Sequence, residues 1–118
     1  MPRSIETADP ISVVGLGRVG SHAARQLRSG SAPLTIFDTD RLRRQRVLDA
    51  LRPHDTVGEP NGAPARTVIL ATPAGDHGVV AAPLVRSGVS VVSTSDDPED
   101  VKALLELHDA ALDAGCTV

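Results

Sequence analysis

The chain has 118 residues and a net charge of −3, enough for one domain with a modest core. The acidic balance argues against a nucleic-acid partner, and Phe37, the sole aromatic residue, is too little for base-stacking platforms or aromatic sugar clamps. No apolar run is long enough to span a membrane, and the single cysteine, Cys116, cannot close an internal disulfide. A reducing cytoplasm is therefore the expected setting, and the core must be built from Val, Leu, Ile and Ala. That composition suits a parallel sheet buried on both faces.

Residues 1–10 are polar and lack an apolar signal region, and they read as a loose leader. Ile11 to Val14 has strand character and runs straight into Gly15-Leu16-Gly17-Arg18-Val19-Gly20, which fits G-x-G-x-x-G. Strand, glycine turn and helix in that order form the phosphate-binding corner of a dinucleotide fold. Gly15 is expected to turn the chain off the strand, Gly17 to let a pyrophosphate approach the backbone, and Gly20 to let the helix lie against the sheet. Free N–H groups at the helix start would face the anion. The plain alternative is a structural turn without a ligand.

The first helix is expected over Arg18 to Ser29, with Val19, Ala23 and Leu27 as its apolar stripe. Leu34 to Phe37 reads as the second strand and ends at Asp38, 18 positions past Gly20. An acidic residue at that distance binds adenosine ribose hydroxyls; Thr39 stands beside it. The carboxylates of Asp38 and Asp40 favour NAD over NADP, while Arg41, Arg43 and Arg44 nearby keep NADP as the alternative. A solvated helix face is the bland account of these arginines.

Arg41 to Leu51 is expected to be a second helix, apolar through Leu42, Val47, Leu48 and Leu51. Residues 52–66 are rich in Pro and Gly, with His54 to Val57 as a short strand. Thr67 to Ala71 reads as a buried strand ending in Thr72-Pro73-Ala74-Gly75, at the sheet edge where open α/β folds bind ligands. Ala71, Thr72 and Pro73 thereby join Gly15, Leu16, Gly17, Arg18, Val19, Gly20, Asp38 and Thr39 as expected cofactor-binding residues. Ser93 and Thr94, ending the next strand, are expected to line the cofactor through their backbones.

Asp76 to Arg86 is expected to be a helix kinked at Pro83, followed by a strand over Val89 to Thr94. The last helix should be capped by Asp97, start at Pro98, bury Val101, Leu104, Leu105 and Leu112, and stop at Gly115. Cys116 to Val118 then looks strand-like, as in a domain cut from a longer protein. Together these elements predict an α/β, Rossmann-type, doubly wound parallel sheet in three layers over residues 11–118. His77 is read as a helix-start cap or solvent-facing residue in preference to a ligand contact; His22 and His108 read as surface residues. No metal-ligand spacing or nucleophile motif is present, and no catalytic residue is assigned.

From Ile11 onward the chain resembles the N-terminal nucleotide-binding domain of the saccharopine dehydrogenase family. The shared features are V-V-G-L-G-R-V-G-S-H-A-A-R-Q-L, V-I-L-A-T-P-A, G-V-S-V-V-S-T-S-D-D-P-E-D and the closing L-L-E-L-H-D-A-A-L-D-A-G-C-T-V. The resemblance implies oxidation or reduction at a carbon–nitrogen bond with NAD or NADP as hydride carrier. It also implies a substrate domain that this chain lacks, and a homo-oligomer is compatible with it. Two other groups share part of the pattern. The nucleotide-sensing domain of potassium channels and transporters, which regulates without catalysis, also carries G-x-G-R-V-G and an acidic end to strand two, although its Gly-Asp pair after strand three is not found here. The glucose-fructose oxidoreductase type is similar in T-P-x-x-x-H, at Thr72 to His77, but its Glu-Lys-Pro is replaced by Ser93-Thr94-Ser95.

Overall fold

The computed structural model of the chain describes residues 9–62 and 65–118. Most of the expected leader, residues 1–8, lies outside the described residues, as do residues 63–64 of the Pro/Gly-rich segment. Five parallel strands form one sheet: β1 (Ile11–Val14), β2 (Leu34–Phe37), β3 (Thr56–Val57), β4 (Thr67–Leu70) and β5 (Ser90–Ser93). Their order is β3-β2-β1-β4-β5. This is the expected Rossmann-type α/β architecture. Val14 lies opposite Phe37 on one side and Leu70 on the other, so three strands end level at the carboxyl edge. The chain leaves β1 toward β2 and later returns on β1's other flank as β4. The connections after β1 and β4 therefore diverge and open a crevice there.

Alternation along the strands sends their side chains to two cores. Val13, Leu34 and Ile36 pack with Ala24 of α1 (Arg18–Leu27) and Val47 of α2 (Arg41–Asp49). Val14, Val68, Leu70 and Val91 pack with Ala81 and Val85 of α3 (His77–Arg86). Two further helices, α4 (Pro98–Leu105) and α5 (His108–Ala114), complete the second layer. Gly78 makes the α3–α4 approach close: a Cβ there would lie 2.5 Å from that of Ala103.

Several expectations are corrected. The buried positions of α1 are Gly20 and Ala24, with Leu27 half-buried, and Val19 is exposed. The phase is set by Gly20, where a Cβ would sit 1.7 Å from the Gly15 carbonyl oxygen; the helix lies against the glycine turn itself. The helix ends at Leu27, two residues earlier than expected. In α2, Leu42 is exposed and Arg44 is half-buried, its guanidinium 5.5 Å from the centre of the Phe37 ring. As expected, α3 spans Pro83, which has no N–H to donate to the carbonyl one turn back.

The expected long last helix is two. Leu107 donates to Leu104 in a tight three-residue turn, and the chain re-aims so that Ala111 meets the second core. The expected stripe is consequently not buried: Leu105 is 70% and Leu112 65% exposed, Val101 is exposed too, and Leu104 alone packs inward. The flanking signals do hold. Asp97 accepts the Glu99 N–H at 2.8 Å, and Gly115 closes α5 in the left-handed region at φ 74°. Beyond it, Thr117 accepts the Val91 N–H at 2.9 Å, beginning a strand-like pairing on the free edge of β5.

Candidate functional site

The crevice between the β1 and β4 connections holds a cavity of about 590 Å³. Of the expected residues, Gly15, Gly17, Arg18, Val19, Asp38, Thr39, Ala71, Thr72 and Pro73 line it. Leu16 and Gly20 do not: both are buried behind the turn and fix its shape. Thr94 lines the cavity as well, and so do Val14, Phe37, Arg43 and Pro60. Pro60 carries no signal in the sequence, because its place depends on how the Pro/Gly-rich segment folds back.

Each glycine of the turn meets a different constraint. Gly15 has φ 95°, and a Cβ there would lie 2.6 Å from the Ala71 carbonyl carbon and the Thr72 nitrogen. Two strand-end loops thus cross in contact, which only glycine allows. Gly17 has the opposite surroundings: apart from its chain neighbours, no atom lies within 4 Å of where its Cβ would be. Gly17 also stands at the N-cap of α1 with no side-chain cap and no acidic residue in the first turn. The helix start therefore presents backbone N–H groups to the cavity beside open space, which suits an anion brought close to the chain.

Asp38, 8% exposed, binds the turn from the neighbouring strand. Its Oδ2 accepts the Leu16 N–H at 2.8 Å, its Oδ1 accepts the Asp40 N–H at 2.8 Å, and the Arg43 guanidinium lies 3.4 Å from Oδ2. Burial alone pushes the Asp38 carboxyl up, but the two backbone donors and Arg43 outweigh it and hold the group below its usual range. The carboxylate is charged at neutral pH. Of the three arginines weighed from the sequence, Arg43 alone lines the cavity.

The β4 and β5 edge loops are joined by groups the sequence did not single out for that purpose. His77 is fully buried, neither a cap nor in solvent. Its Nε2 lies 3.0 Å from the Thr72 carbonyl and 3.2 Å from the Thr72 hydroxyl, and its Nδ1 lies 2.6 Å from Ser93 Oγ. Asp100, in the first turn of α4, is buried and accepts the Gly75 N–H, the His77 N–H and the Ser95 hydroxyl. The Gly75 and Ser95 bonds hold its carboxyl below the usual range. No group of residues suited to hold a metal ion occurs among the described residues. No helix among them is long and apolar enough to cross a membrane.

No curated protein matches the chain in sequence. Among solved structures it is similar to the UDP-N-acetylglucosamine 3-dehydrogenase of Acidithiobacillus ferrooxidans, with a TM-score of 0.72 and 20% identity over 92% of this chain and 36% of that one. It is similar to the myo-inositol 2-dehydrogenase of Lactobacillus plantarum, with a TM-score of 0.70 and 16% identity over 87% of this chain and 33% of that one. The 3-hydroxyisobutyrate dehydrogenase of Mycobacterium tuberculosis gives 0.69 and 18%, over 92% and 38%. The chain thus spans little more than a third of these structures, and at such identities the likeness is one of fold, the Rossmann fold. The family profile of the TrkA-N domain matches residues 11–113, and the chain belongs to the TrkA-N domain family.

Proposed function

We propose that this chain binds NAD(P) in the cavity between the β1 and β4 loops, as the nucleotide-binding domain of a larger protein. The observation that carries the reading is Gly17: a helix start without a side-chain cap, beside space that a Cβ would fill. The pyrophosphate lies along the backbone of Gly17, Arg18 and Val19. Asp38 accepts from the adenosine ribose with the acceptor capacity that Leu16, Asp40 and Arg43 leave free, and this favours NAD over NADP. Ala71, Thr72 and Pro73 flank the other half of the dinucleotide. A bound nicotinamide would supply hydride chemistry, which belongs to the cofactor. Titration calorimetry with NADH tests the reading: saturable binding that Gly17→Val weakens strongly supports it, and equal affinity in the variant sinks it.

Two uses of the bound nucleotide are supported by different observations. The fold shared with dehydrogenases, and the saccharopine dehydrogenase-like motifs, support an oxidoreductase whose substrate domain lies elsewhere in the parent chain. Membership of the TrkA-N family supports a regulatory domain that senses the nucleotide, like those of potassium channels and transporters. Substrate-dependent oxidation of NADH by the full-length parent separates the first from the second.

A further inference from the structure

We infer that His77 is a positioning residue for the β4 side of the cavity, acting through the Thr72 carbonyl. This rests on the dinucleotide reading above. Thr72 and Pro73 line the main cavity and also a second one of about 440 Å³ that reaches Gly75, Asp76 and Val80. The short stretch is therefore a shared wall, and whatever fixes its backbone fixes the shape of both spaces. His77 does this from a fully buried position at the start of α3.

The two shortest ring contacts share one consistent direction, and the Thr72 hydroxyl at 3.2 Å can accept the same Nε2 proton. A carbonyl oxygen only accepts, so Nε2 carries the proton and donates to the Thr72 carbonyl at 3.0 Å. In the neutral ring, Nδ1 then accepts from the Ser93 hydroxyl at 2.6 Å. Ser93 Oγ in turn accepts the Ser95 N–H at 3.1 Å, which leaves its own proton for the ring. The chain of donors runs from the β5 loop through His77 to the β4 loop. Asp100 holds the His77 backbone from beneath, so the ring starts from a fixed point. The link lies on the β4–β5 half of the carboxyl edge, away from Asp38 at the end of β2. Its influence should therefore fall on the part of a dinucleotide beyond the pyrophosphate and spare the adenosine half.

Two side chains divide the ring's roles. The amide of Asn sits near the place of Nδ1 and keeps the Ser93 bond; the amide of Gln reaches the place of Nε2 and keeps the Thr72 bond. Calorimetric titrations with NADH and with ADP compare wild type, His77→Asn and His77→Gln. His77→Asn is expected to weaken NADH about tenfold with ADP changed by less than about twofold, and His77→Gln to return NADH to within about threefold of wild type. A purely structural role would weaken both ligands together. Equal loss of NADH and ADP, no loss in either variant, or better binding by Asn than by Gln overturns the inference. Absence of NADH and ADP binding in wild type overturns the dinucleotide reading with it. A measurement without variants covers a folding failure. In ¹⁵N-labelled wild type, the His77 ring must show the Nε2–H tautomer and must shift on adding NADH but not on adding ADP. The other tautomer, or an equal response to both, rejects the proposal.

Discussion

The Asp38 carboxylate accepts the Leu16 N–H at 2.8 Å, which ties the end of β2 to the middle of the glycine turn after β1. One side chain therefore both shapes the turn and faces the cavity. Asp38→Ser is expected to weaken NAD binding roughly tenfold or more, since each charged hydrogen bond contributes about 1.5–3 kcal/mol. NADP should bind equally or better, because the carboxylate facing its 2′-phosphate is gone and Arg43 is released beside it. Dissociation constants for both cofactors, at one salt concentration, measure this. A wild type that already prefers NADP would show that Arg43 dominates the site.

The second and third glycines of the turn predict opposite phenotypes. Gly17→Val should leave the melting temperature near that of wild type, because its Cβ meets no atom within 4 Å apart from its chain neighbours, while ligand binding falls. Gly20→Ala should destabilise the fold by about 3 kcal/mol or more, as its Cβ would drive into the Gly15 carbonyl. Thermal melts without ligand decide it; similar melting temperatures for the two variants would contradict the assigned roles.

Acid should loosen the fold through its held carboxylates. The carboxyls of Asp38, Asp55 and Asp100 all lie below their usual value in the folded chain. Below about pH 4 the unfolded chain takes up these protons more readily than the folded one. The stability they contribute is complete above that range and drains away as pH falls through the lowered folded values. Melting temperature should hold between pH 7 and 5 and then drop, less steeply in Asp100→Asn. A flat profile to pH 3 would exclude this linkage.

What was legible in the sequence was what is local. The glycine spacing, the acid after β2, the strand that leads into Thr72 and the Asp97 cap each declare themselves within a few residues. The roles of His77 and Asp100 were not legible, because their partners Thr72, Ser93, Gly75 and Ser95 come together only when two loops fold side by side. The helix stripes failed for a related reason. Periodicity gives a helix an apolar side, but the Gly20–Gly15 contact sets the phase of α1, and the turn at Leu107 divides the last helix. Arg44 was read as solvated since nothing local marks the Phe37 ring that it covers.

Arg52 and Asp55 offer a test of stability separate from the site. Asp55 is buried, and its carboxylate accepts from the Arg52 guanidinium at 2.9 Å and from the Leu34 N–H at the start of β2. Arg52 also donates to the carbonyls of Gly30 and Ala32, closing the connection between α1 and β2. Burial pushes the Asp55 carboxyl up, but the Arg52 bonds reverse this and keep it charged. Arg52→Ala leaves that charge with the backbone N–H groups of residue 52 and Leu34, and with His54 Nε2 at 3.7 Å. The expected cost is about 2–4 kcal/mol, somewhat below the loss of a fully dry pair because Arg52 is itself partly solvated. The Arg52 clamp lies at the amino end of β2, and Asp38 at the carboxyl end. NADH affinity measured well below the melting temperature should therefore stay within about twofold of wild type. Urea unfolding and calorimetry on the same preparation give both numbers. A variant that keeps its stability, or one that loses NADH binding while folded, contradicts the separation of clamp and site.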